Sequence, residues 1–139
     1  MSSDTKQRIV EATLETLREE GFAGTSARAI ASRGGFNQAL VFYHFGTLNE
    51  LLLAALDHTS EIRMKRYQDA LHGIKGLPAT LRVAGDLYAE DQAAGHITVL
   101  CELIAGSATA KGLGPQIVKR MQPWIEMTES TLSQALAKS

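Results

Sequence analysis

Apolar residues recur along this chain at intervals of three and four, and no segment alternates strictly between apolar and polar, so the pattern predicts helices throughout and an all-α protein. A first helix is expected from about Thr5 to Glu20. Ile9, Ala12, Thr13, Thr16 and Leu17 fall on one small-to-apolar face, Gly21 ends the helix, and Phe22 is free to fold back onto that face. A short second helix follows, capped by Thr25 or Ser26, with Ile30 and Ala31 inward and a stop at Gly34-Gly35. A third covers Gln38 to Tyr43 with Asn37 as its cap, and Phe36 and Val41 have the spacing of a hydrophobic staple. A long fourth begins at the capping box Thr47-Leu48-Asn49-Glu50 and reaches about Leu71, with Leu51, Leu52, Ala55, Thr59 and Ile62 inward. The break "HGIKGLP" at 72–78 leads to helices over about 78–91, 95–109 and 115–137. The boundary between two units is expected at the start of the fourth helix, giving domains 1–47 and 48–139.

The stretch "GGFNQALVFYHFGT" at 34–47 asks for an explanation. A helix this short is marginal alone in water, yet it is crowded with large side chains. Two short helices joined by a glycine-containing turn are the sequence form of a helix-turn-helix. With Val41 inward, Asn37 and Phe45 share its face while Ala39 and Tyr43 point away. Gln38 and Phe42 lie on one flank, Leu40 and His44 on the other. Leu40, Phe42 and Tyr43 are therefore expected at the surface, which suits entry into a DNA major groove. Gln38 pairs with an adenine edge, Ala39 or Leu40 touches a thymine methyl, and Tyr43 and His44 reach phosphates.

The chain has 139 residues, of which 45% are hydrophobic and 21% charged, a globular composition with a net charge of −1. Any basic surface must therefore be local. Residues 1–46 hold five cations (Lys6, Arg8, Arg18, Arg28, Arg33) and five carboxylates, so the expected salt dependence of DNA binding is shallow. The single cysteine, Cys101, forms no intramolecular disulfide. The charged N-terminus lacks an apolar signal core, and "LLLAAL" at 51–56 is too short to span a bilayer. A soluble cytoplasmic protein with no membrane partner is expected. His96 and Cys101 lie about 140° apart on a helix, and there is no phosphate loop, metal spacing or nucleophile triad. No enzyme, metal or cofactor is expected. Arg63, Lys65 and Arg66 read as a solvated basic face, and Met121, Trp124 and Met127 as a packing stripe.

The segment "TSARAIASRGGFNQALVFYHFGTLNELL" resembles the N-terminal signature of TetR-family transcriptional regulators, and "IVEATLETLREEGFAGTS" before it is similar to the family's first helix and Gly-Phe corner. Together they cover roughly residues 5–56. The resemblance implies a three-helix DNA-binding domain joined by the long fourth helix to a helical domain that dimerises and encloses a small-molecule pocket. It implies a homodimeric repressor on a palindromic DNA operator, released by a small-molecule effector. It puts Ser26, Arg28, Asn37, Gln38, Ala39, Leu40, Phe42, Tyr43, His44 and Thr47 at the DNA. Two positions depart from the family pattern: a phosphate-bonding tyrosine is replaced by Phe42, and a lysine at the start of the fourth helix by Leu48. Those losses favour the alternative of a helical protein-interaction module that no longer binds DNA. Pocket liners are expected among polar and aromatic residues on otherwise apolar helices: His58, Tyr88, His96, Cys101, Met121 and Trp124. Family members usually run two helices further, so a short or truncated C-terminus is expected.

Overall fold

The structure, a computed structural model, describes residues 2–137. It contains seven helices, α1 (Ser2–Glu20), α2 (Ala27–Gly34), α3 (Ala39–Phe45), α4 (Leu48–Leu71), α5 (Leu77–Ala93), α6 (His96–Gly106) and α7 (Leu113–Ala137), and no strand among the described residues. The seven helices expected from periodicity are all present.

Local chemistry fixes the boundaries. On α1, Ile9, Ala12, Thr13, Thr16 and Leu17 are buried as one face. The two threonines tolerate this because Thr13 Oγ1 donates to the Ile9 carbonyl at 2.7 Å and Thr16 Oγ1 to that of Ala12 at 2.6 Å. Ser26 rather than Thr25 caps α2, accepting the Ala29 N–H at 3.1 Å, while Thr25 Oγ1 turns back to the Gly21 carbonyl at 2.6 Å. α3 begins one residue later and ends two later than expected. Asn37 still caps it, since its Oδ1 accepts the Ala39 N–H at 2.8 Å and its carbonyl accepts from Leu40 at 3.0 Å. Thr47 caps α4 by accepting from Glu50 N–H at 3.1 Å. α6 is shorter than expected, because Ser107 to Thr109 form a turn.

One apolar core runs through the chain. Ile9 and Leu17 of α1, Ile30 of α2, Val41 of α3 and Leu51 and Leu52 of α4 form a single cluster with Val99 and Leu103 of α6 and Leu113 and Ile117 at the start of α7. The core continues across the α3–α4 break. One inward assignment changes. Ile62 is 58% exposed, because beyond Thr59 the packed face of α4 becomes Arg63, Arg66 and Tyr67. Phe22 packs against the core cluster to which the α1 face belongs, and its ring also rests on Gly106 of α6.

The basic cluster is also corrected. Lys65 is exposed and pairs with Asp69, but Arg63 and Arg66 do not form a solvated face. They clamp Asp91 of α5, which is completely buried. Arg63 Nε lies 3.0 Å from Asp91 Oδ2, Arg66 Nη1 3.2 Å from Oδ1, and the Tyr67 hydroxyl donates to Oδ2 at 2.8 Å. Arg66 also pairs with Glu90. The Arg63 guanidinium stacks 4.9 Å from the ring centre of Trp124, so the network ties α4 to both α5 and α7.

Candidate nucleic-acid interface

A helix that enters a groove must be held rigidly from behind, and the sequence supplies the means. Gly35 adopts the left-handed conformation (φ +72°) that a residue with a Cβ resists, and its N–H closes α2 on the Ala31 carbonyl. Gly34 is required for a different reason. A Cβ there would overlap the Phe36 ring and lie 3.0 Å from Ala12 Cβ, so its absence lets the turn sit against α1. Arg8 reaches across from α1. Its Nη2 donates to the carbonyls of Gly34 at 3.0 Å and Gly35 at 3.3 Å, and its guanidinium lies 5.9 Å from the Phe36 ring centre. Arg33 ties α2 back to α1 through Glu15 at 3.1 Å and Glu20 at 3.2 Å. Two of the five N-terminal cations are thus spent on holding the motif together.

The outward face of α3 follows from the one buried residue, Val41. Gln38, Ala39, Phe42 and Tyr43 are exposed, Tyr43 most of all at 81%. His44 is half-buried, its ring edge-on to Tyr43 at 4.9 Å. Leu40 departs from expectation, being half-buried and packed against the core, because α3 leans that flank towards α4. Leu48, where the family pattern has lysine, likewise packs on the core. Ser26, Arg28, Asn37 and Thr47 surround the face and are exposed. Ser26, Asn37 and Thr47 each use an oxygen to accept a helix N–H, which leaves the hydroxyl or amide hydrogens as donors directed by the caps. Arg28 is the exposed cation on this side of α2.

The six residues expected to line an effector pocket are not gathered into one cavity. His58 borders a shallow groove with Lys6 and Phe45, while Tyr88 and Cys101 are exposed. His96 is half-buried with Nδ1 at 3.2 Å from Thr59 Oγ1. Met121 and Trp124 flank an apolar groove on α7 with Ile125. A cleft of about 710 Å³ opens elsewhere, between the end of α4, the turn after it, α5 and α7. Met64, Gln68, His72, Pro123, Met127 and Thr131 border it, and among the described residues no lysine or arginine does. The signal for it was mixed spacing: Met64, Gln68 and Leu71 on one face of α4, and Met127, Thr131 and Ala135 on one face of α7. Asp91 gave no signal beyond a carboxylate late in α5. Among the described residues no single helix is long and apolar enough to cross a membrane.

Titration of this region is directional. Burial, aided by the Arg63 charge, pushes His96 below the ordinary histidine value. The unfolded chain then binds a proton, as pH falls below about 6.5, that the folded protein refuses. Stability is therefore expected to decline as pH drops below that value and to level off once the folded-state value is passed. Urea midpoints at neutral and mildly acidic pH measure this decline, which should be smaller in His96→Gln.

Comparison with known proteins addresses the same residues. A family profile described as "Bacterial regulatory proteins, tetR family" matches residues 9–55, which run from α1 into α4. The chain is 48% identical over 50 residues to "HTH-type transcriptional repressor Rv3405c" of Mycobacterium tuberculosis, covering 36% of this chain and 27% of that protein. It is 27% identical over 114 residues to "Uncharacterized HTH-type transcriptional regulator Rv2912c" of the same organism, covering 79% of this chain and 56% of that protein. It is 34% identical over 58 residues to "HTH-type transcriptional regulator BetI" of Proteus mirabilis, covering 42% of this chain and 29% of that protein. The chain thus spans between about a quarter and just over half of the length of these relatives. The helix-turn-helix of this chain, residues 9–55, is thus of the kind found in the tetR family of bacterial regulatory proteins, and the relatives it matches are named as helix-turn-helix transcriptional regulators.

Proposed function

We propose that this protein is a sequence-specific DNA-binding transcriptional regulator of the cytoplasm, a homodimeric repressor released by a small-molecule effector. The observation that carries the reading is the exposed face of α3. Gln38, Ala39 and Tyr43 stand clear of the chain on a helix pinned from behind by Arg8 and Val41. In this reading α3 lies in the major groove, where the Gln38 amide reads an adenine edge and Ala39 contacts a thymine methyl. Ser26, Asn37, Thr47, Tyr43 and His44 donate to phosphates and set the register. Arg28 supplies the side-chain charge at the face. Two copies on a palindrome would place their α3 helices about 34–36 Å apart. The relative named as a repressor supports repression over activation.

The effector is assigned to the cleft between α4, α5 and α7 rather than to the six scattered residues. Its volume of about 710 Å³ suits a small molecule, and its lining mixes methionines with amides and hydroxyls. An effector there needs a coupling of about 1–3 kcal/mol to release DNA. A molecule that saturates the cleft without changing operator affinity would remove this part of the reading.

Phe42, half exposed and without a hydroxyl, favours the second reading, in which the same surface receives a protein. Salt titration of Arg28→Ala separates the two. A phosphate contact at Arg28 predicts weaker binding to all sequences and a salt slope shallower by about 1. An unchanged slope and affinity would place Arg28 outside the DNA contact.

A further inference from the structure

We propose that Glu102 and Gly106, one turn apart on α6, form a receptor for the Gly21-Phe22 corner that sets the angle at which α2 and α3 are presented. The functional consequence rests on the DNA-binding reading above; the contact does not.

α6 reads "HITVLCELIAG", an apolar helix in which Glu102 is the one carboxylate. Placing a carboxylate half-buried on such a helix is costly unless something specific binds it. No cation pairs with it among the described residues. Its Oε1 instead accepts the backbone N–H of Phe22 at 2.6 Å, across 80 positions of sequence. The N–H it satisfies lies just past the end of α1. One turn later on the same face, Gly106 leaves a notch that the Phe22 ring fills; a methyl group there would overlap the ring. A third point lies at the start of α6, where the stem of Arg18 occupies the space above Gly95. α1 is thus docked on α6 at both ends of α6, by a directional bond and two shape fits.

The segment that provides these notches is itself anchored to α4. Asp91 is clamped by Arg63 and Arg66, and His96 faces Thr59. Residues 91–106 therefore sit between the α4 helix, which borders the cleft, and the corner from which α2 departs. Movement of α6 relative to α4 would be passed to α2 and α3 through Phe22. Glu102 is a positioning residue in this scheme, acting through the corner and touching no DNA.

The test uses spin labels at Ser32→Cys on α2 and Asp86→Cys on α5, both exposed, in a Cys101→Ser background. The label-to-label distance distribution is expected to broaden in Glu102→Ala and to stay narrow in Glu102→Gln, which keeps a carbonyl acceptor. The Phe22 amide should exchange faster in Glu102→Ala while amides of the buried α1 face stay protected, which separates loss of the latch from loss of the fold. Affinity for a selected operator should fall about 2- to 30-fold in Glu102→Ala, the range for residues that couple sites without touching a ligand. An unchanged distribution and a slow Phe22 amide in Glu102→Ala would overturn the proposal, as would Glu102→Gln behaving like Glu102→Ala. If the parent protein selects no DNA, the functional reading fails, and the distance and exchange measurements still decide the latch.

Discussion

Asp91→Ala is expected to cost the fold about 3–5 kcal/mol, the range for removing one partner of a buried ion pair. The substitution leaves the Arg63 guanidinium, whose side chain is 11% exposed, facing the space the carboxylate occupied. It also strips the Tyr67 hydroxyl of its acceptor. Arg66 is cushioned, because it is more exposed and keeps Glu90, so the lower half of the range is the expected outcome. Urea unfolding at neutral pH measures it, and a loss below about 1 kcal/mol would show that water replaces the carboxylate readily. The pH dependence has a definite sign. Burial raises the Asp91 carboxyl, but Tyr67, Arg63 and Arg66 outweigh it and hold the group below its ordinary value. A depressed carboxyl stabilises the fold above the unfolded-state value of about 3.9 and loses that contribution as pH falls through the folded value. The gap between the parent protein and Asp91→Asn should therefore narrow only in strong acid.

The second large effect is on binding. Ala39→Glu places a carboxylate at the exposed start of α3, where the proposed complex brings phosphates and base edges together. Like charges forced together at an interface cost several kcal/mol, so operator affinity is expected to fall at least about 100-fold. The fold should be unaffected, since Ala39 is exposed and a glutamate in a first helical turn is tolerated. Retention of specific binding by a folded Ala39→Glu protein would mean that another surface contacts the DNA.

The helix-turn-helix was legible because its information is local. Caps at Ser26, Asn37 and Thr47, the Gly34-Gly35 turn and the burial of Val41 all follow from neighbouring residues. Exposure of Leu40 was misjudged because it depends on how α3 leans on the next helix, and a helical wheel has no neighbour. Beyond residue 56 the same method loses reach. Arg63 and Arg66 looked solvated because their partner Asp91 lies 25 or more positions away on another helix. His58, Tyr88, His96, Cys101, Met121 and Trp124 stand out in the sequence as polar or aromatic exceptions on apolar helices. The cleft is instead framed by ordinary methionines and glutamines that converge only once α4, α5 and α7 pack. Glu102 carries no local signal of its role, because its partner is a backbone N–H 80 positions away.

Base reading by α3 is tested by selection of binding sites from random duplex DNA, with Gln38→Ala and Tyr43→Ala run in parallel. The expected result is enrichment of a defined sequence, arranged as a two-fold palindrome if two copies bind, and loss of that enrichment in both variants. Absence of any enriched sequence at low salt, with the protein folded, would contradict it and move the exposed face of Phe42 and Tyr43 to the protein-binding reading.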